Sequence, residues 1–89
     1  MTAREVSWTA TATKALSHLP EKVGAAVIEI VYGPLALEPA PVGKPLRFAL
    51  EGLHAARRGD YRVIYEIRED RGDVLIHVIE HRADVYRRR

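Results

Sequence analysis

The sequence predicts an α+β fold, a small antiparallel sheet with an N-terminal helical hairpin packed on one of its faces. Three observations carry that expectation. Residues 61–68 alternate directly after the turn signal Gly59-Asp60, with Tyr61, Val63, Tyr65 and Ile67 on one parity and Arg62, Ile64, Glu66 and Arg68 on the other. Period two in β-branched and aromatic residues marks a strand. Val74 to Ile79 is a short, almost wholly apolar run, the pattern of a central strand buried on both faces. Between residues 10 and 31 the apolar residues instead recur as on one face of a helix.

Arg4 to Trp8 alternates around Val6 and Trp8 and forms a short first strand. Thr9 is an N-cap for a helix over residues 10–19, with Ala12, Ala15, Leu16 and Leu19 on its apolar face. Pro20 opens a second helix where its missing N–H matters least, and Glu21 meets the positive end of the dipole. Val23, Ala26, Val27, Ile30 and Val31 are the second stripe. Gly33-Pro34 ends or kinks this helix, with room for a further turn through Leu35 and Leu37. Residues 38–46 hold three prolines and a glycine and read as a loop within the domain. Leu46 to Leu50 is a candidate extension of the sheet, and Gly52 marks a turn. Leu53 to Arg57 forms one arm of a hairpin, whose second arm runs from Asp60 to about Arg68. Glu69 to Asp73 is a polar turn carrying a glycine, and Arg82 to Arg89 is a short basic tail. The order is strand, two helices, then three strands in sequential hairpins. Such hairpins make an antiparallel sheet, and its second face is left to solvent or to a ligand.

Eighty-nine residues, 47% of them apolar, make one domain, 1–89, with a core just large enough to stand alone. Cysteine is absent, which excludes a disulfide framework and thiolate metal sites. The histidines at 18, 54, 77 and 81 have no metal-ligand spacing, and no Gly-rich phosphate loop or Gly-x-Ser-x-Gly elbow occurs. The first twenty residues lack the apolar run of a secretory leader, and no stretch approaches the ~20 apolar residues of a membrane span. A soluble cytoplasmic protein is the expectation. The net charge is +2 but unevenly placed. Residues 44–62 carry five basic and two acidic groups, residues 63–80 two and five, and residues 81–89 four and one. Two basic segments around an acidic one form a cationic patch if the fold joins them.

Two stretches offer chemistry. Arg57 and Arg58 precede the Gly59-Asp60 turn and Arg62 follows it. Three guanidiniums at one hairpin repel one another, and their planar forks suit phosphate, so an anionic ligand is expected there. Glu80-His81-Arg82-Ala83-Asp84-Val85-Tyr86-Arg87 follows the apolar strand and supplies a titratable imidazole, fixed cations and a phenol. Taken alone, each stretch reads most simply as a solvated charged surface. His18 reads as a surface residue, His54 and His77 as ordinary strand residues.

Together the two stretches say more. Gly43-Lys44-Pro45-Leu46 with Leu50-Glu51-Gly52-Leu53, then Ala56-Arg57-Arg58-Gly59-Asp60-Tyr61-Arg62-Val63-Ile64-Tyr65, then His81-Arg82-Ala83-Asp84-Val85-Tyr86-Arg87 resemble, in order and spacing, the RelE toxins of the RelE/ParE superfamily. These are the toxin halves of bacterial type II toxin–antitoxin pairs. Leu19-Pro20 between the helices also fits, and the likeness covers essentially the whole chain. The resemblance implies the fold above and an endoribonuclease needing no metal or cofactor. It would cut messenger RNA in the ribosomal A site, where the substrate's 2′-hydroxyl attacks the adjacent phosphate. The products are a 2′,3′-cyclic phosphate and a 5′-hydroxyl.

The resemblance also implies roles. Arg62 stabilises the phosphorane, Arg82 contacts the phosphate or assists the leaving group, and Tyr86 stacks on or orients the nucleotide. Arg57 lines the same face, and Lys44, Arg47, Arg58 and Arg87 are further RNA-binding cations. Relatives place a second basic residue two positions before the one matching Arg57, where this chain has Ala55. Arginine stays protonated, so His81 is the first candidate for the proton acceptor, ahead of Lys44 and Glu80. The implied partners are a RelB-like cognate antitoxin, the ribosome with its messenger, and operator DNA reached through the antitoxin in a hetero-oligomer. Two other readings stand beside this one. A ParE-like toxin that poisons DNA gyrase shares the fold without needing the Arg62, Arg82 and Tyr86 set. A catalytically weak member would keep only the fold and the antitoxin contact.

Overall fold

Gly59 and Gly72 sit at positive φ, +61° and +69°, where a side chain is disfavoured, and each closes a hairpin. The computed structural model describes residues 3–46 and 52–81. Strand β1 (Glu5–Trp8) leads into helices α1 (Ala10–Ser17) and α2 (Glu21–Ile30), a π-helical turn (Val31–Leu35) and one turn of helix, α3 (Pro39–Val42). Strands β2 (Lys44–Pro45), β3 (His54–Arg58), β4 (Tyr61–Arg68) and β5 (Asp73–His81) follow. The sheet order is β1-β5-β4-β3-β2. Strands β2 to β5 form the expected antiparallel meander. β1 joins the far edge parallel to β5, with Val6 beside Val74 and Trp8 beside Ile76. Parallel neighbours need a long connection, and here it runs through the helices to the far edge and back through β2, β3 and β4.

The helices cover one face of the sheet. Ala12, Val27, Val31 and Leu35 meet Ala56, Val63, Tyr65, Val74, Ile76 and Ile79 in one buried cluster. Thr9 ties the layers together. Its Oγ1 accepts from the Ala12 N–H at 3.0 Å, capping α1, and donates to the His77 carbonyl of β5 at 2.6 Å. The second helix does not stop at Gly33-Pro34. The chain kinks at Gly33, which has non-helical torsions, and winds on to bury Val31 and Leu35. The proline-rich segment is not wholly a loop, since it holds α3 and the two-residue strand Lys44–Pro45. Most of the predicted sheet extension Leu46 to Leu50, residues 47–50, lies outside the described residues.

One detail of β5 governs the site. Tyr65 pairs with Ile76, but Ile64 pairs with Val78, so His77 is an extra residue and the strand bulges there. The buried parity therefore switches from Val74 and Ile76 to Ile79. The expectation of a strand buried on both faces is corrected, because Leu75, His77 and Val78 are only half-buried on the face the helices leave open. Among the described residues no helix is long and apolar enough to cross a membrane.

Candidate active site

The open face is built by strand register. Directly paired residues of neighbouring strands project to the same side, and Ala56, Val63 and Tyr65 fill the core on the other. Arg57 of β3 pairs with Arg62 of β4, which pairs with Glu80 of β5. These three side chains form one row across the sheet. The next row holds Lys44, Ala55, Ile64 and Val78. Lys44 thus stands on the open face directly beside Ala55, in the row next to Arg57.

Arg62 is held. Its Nε donates to Glu80 Oε1 at 3.0 Å, and its Nη2 lies 2.9 Å from the same oxygen. The two side chains are 34% and 17% exposed, so the guanidinium is oriented but reachable from solvent. Arg57 and Lys44 are exposed, and neither has an ion-pair partner among the described residues. Beside this row lies an open cleft of about 330 Å³, floored by Leu53, Ile64 and Val78, with Arg62 and Glu80 at its rim. Cations next to an apolar floor suit a ligand that is anionic at one end and flat and apolar at the other.

Farther along the same face the polar side chains are tied to one another in pairs. His77 Nε2 and Glu66 Oε1 are 3.0 Å apart. Arg68 Nε donates to Asp73 Oδ1 at 2.8 Å, and Ser7 Oγ donates to Asp73 Oδ2 at 3.0 Å. The Arg68 hydrogen bonds hold the Asp73 carboxyl below its ordinary value against the opposing effect of burial, with the Ser7 bond adding to them. Asp73 in turn pushes the Arg68 guanidinium up. Among the described residues of these rows, the cations left without a carboxylate partner are therefore Lys44 and Arg57, which flank the paired Arg62. Among the described residues no group of three or more His, Asp or Glu side chains gathers in a way that could hold a metal ion.

The structure brings Lys44, Arg57 and Arg62 together and separates two other candidates from them. Arg58 pairs with Tyr61 and so projects to the helix side. The three-guanidinium cluster is corrected to two, with Glu80 as a built-in anion. His81 also pairs with Tyr61, their rings edge-to-face with centroids 4.6 Å apart. It lines a separate depression with Ala15, His18 and Leu19, across the sheet from Arg62. The bulge is the reason. Without the extra residue, alternation from Val74 would turn His81 towards Arg62 and Glu80 under the helices. Arg47, Arg82, Tyr86 and Arg87 lie outside the described residues. The Arg62–Glu80 and Glu66–His77 pairs escaped the sequence reading. Their only advance signal is a carboxylate among the residues of each strand, Glu66 in β4 and Glu80 in β5, and that signal depends on knowing the register.

An antiparallel meander packed against an N-terminal helical layer is the fold of one class of toxins. The family model for the ParE toxin of type II toxin–antitoxin systems, parDE, matches residues 6–86, and the chain belongs to the RelE/ParE superfamily of such toxins. Within it, the chain is 54% identical to toxin RelE of Mycobacterium tuberculosis over 82 residues, 92% of this chain and 84% of that one. It is 48% identical to toxin RelG of the same organism over 83 residues, 93% and 95% of the two chains. A chain of the RelBE2 toxin–antitoxin complex from M. tuberculosis superposes with a TM-score of 0.86 at 43% identity, covering 91% of this chain and 100% of that one. A mutant of E. coli toxin RelE in the free state shares the fold, with a TM-score of 0.77 at 16% identity over 97% of this chain and 93% of that one.

Proposed function

We propose that this toxin is a ribosome-dependent endoribonuclease that cuts messenger RNA in the ribosomal A site through attack by the substrate's own 2′-hydroxyl. The observation that carries the reading is Arg62, held by Glu80 on the open face beside Arg57. In-line attack on a phosphodiester needs geometry and charge stabilisation more than covalent help. Arg62 meets the charge that develops on the phosphorane. Arg57 and Lys44 neutralise the phosphates on either side, and the cleft floor of Leu53, Ile64 and Val78 receives a base. Arg82 at the phosphate or leaving group and Tyr86 against the nucleotide complete the set on family resemblance. Arg47, Arg58 and Arg87 serve as salt-sensitive contacts to RNA backbone. His81, across the sheet, takes no part in proton transfer.

A RelB-like antitoxin is the cognate partner. Solved relatives include RelB–RelE complexes from Pyrococcus horikoshii and E. coli, and an acidic or amphipathic segment would complement the basic row. Through such an antitoxin the pair would reach operator DNA.

The test is purified toxin on ribosomes programmed with a defined message. Primer extension should stop within the A-site codon, and the upstream fragment should end in a 2′,3′-cyclic phosphate. Intact message in this assay would overturn the reading. The ParE description of the matching family model favours one competitor, a gyrase poison. It would leave messages whole and produce double-strand breaks in DNA when gyrase is present.

A further inference from the structure

We propose that Glu80 is the proton acceptor of this site, taking the proton of the attacking 2′-hydroxyl through Oε2 while Oε1 holds Arg62. The proposal rests on the ribonuclease reading and deepens it. Arg62 meets Oε1 alone, with Nε donating to it at 3.0 Å and Nη2 lying 2.9 Å from it, and Oε2 carries no bond among the described residues. The same pair therefore does two things. It presents the remaining N–H groups of Arg62 to a phosphate, and it leaves a carboxylate oxygen beside the place where that phosphate would sit.

The other described groups on this face are already committed or carry their protons. Asp73 is bound by Arg68 and Ser7. Glu66 faces His77, whose Nε2 it occupies. Arg57 and Arg62 keep their protons, and Lys44 stands one row away from the Arg62–Glu80 pair. Only Glu80 joins an uncommitted carboxylate oxygen to the cationic row. A carboxylate is a weak base, but it serves where it touches the hydroxyl it deprotonates. In the step, the proton of the 2′-hydroxyl passes to Glu80 Oε2 as the 2′-oxygen bonds to phosphorus. The bond from phosphorus to the 5′-oxygen breaks with its electron pair, and that oxygen takes a proton from water. Glu80 then returns its proton to solvent, so the charge balances.

The test uses the full chain on programmed ribosomes, with folding of each variant checked by its melting curve. Glu80→Gln keeps an oxygen for Arg62 but has no carboxylate. Its single-turnover cleavage at saturating toxin should fall about a hundredfold or more, with the half-saturating toxin concentration unchanged within about threefold. Glu80→Asp should retain part of the rate. Cleavage by Glu80→Ala should rise with added carboxylate, more with acetate than with the less basic formate, a response that a purely positional role would not produce. Cleavage by Glu80→Gln within about threefold of wild type, a defect confined to half-saturation, or no rescue of Glu80→Ala would each overturn the assignment while leaving the ribonuclease reading intact. A wild-type protein that makes no cut removes that reading and Glu80's role with it.

Discussion

Arg62→Ala removes the guanidinium on which the site depends, and its cost follows from where that group sits. A unit charge about 4 Å from a developing oxyanion, at the effective dielectric of ~20 near a protein surface, is worth about 4 kcal/mol. Arg62 is 34% exposed and Glu80 already offsets part of its charge. Both effects reduce the figure to about 3 kcal/mol, or roughly 150-fold in rate. Arg62→Lys keeps the charge but loses the fork that grips Glu80 and phosphate together, and should recover only part of that loss. The fold should survive. Arg62 projects away from the core side of Val63 and Tyr65, and a partly exposed ion pair contributes up to about 1 kcal/mol, or roughly 4–8 °C in melting temperature. The assay is single-turnover primer extension on programmed ribosomes, paired with a circular-dichroism melt. A folded Arg62→Ala protein that cuts within about threefold of wild type would refute the reasoning, because no other described side chain is held in that way at the centre of the row.

Two further outcomes concern the scaffold. A Cβ at position 43 would press on the Tyr65 hydroxyl and come within 2.9 Å of the Ala55 carbonyl. The hydroxyl is tied to the Pro39 carbonyl at 2.6 Å and cannot withdraw, so Gly43→Ala should cost about 1–3 kcal/mol in urea unfolding; an unchanged midpoint would count against this packing. Asp73 has its folded pKa depressed below the ordinary 3.8. The unfolded state therefore binds the proton first, and the stabilisation is present above about pH 4 and lost as pH falls through the folded value. Asp73→Asn should melt below wild type at neutral pH, with the gap closing in acid; a gap that widens in acid would invert the sign.

By itself the sequence determined the local pieces. The alternation of Tyr61 to Arg68 put Arg62 opposite the buried Val63 and Tyr65, and Gly59 marked the hairpin that places arginines on either side of it. The spacing of apolar residues up to Val31 identified the helical layer, even though the chain passes Gly33-Pro34 by kinking rather than stopping. These features depend on neighbours a few residues apart, so they can be read in one dimension. The tertiary structure alone decided which charged groups meet. Arg57 and Arg58 are adjacent and chemically identical, yet the hairpin register turns one towards Arg62 and the other towards Tyr61. Glu80 and Arg62 stand 18 positions apart, and the extra residue at His77 inverts the parity of β5 between them. A bulge adds one residue without a local mark in the sequence. Its position follows from how two strands settle against each other and the helices, and that settling placed a carboxylate beside Arg62 and turned His81 to the opposite side of the sheet.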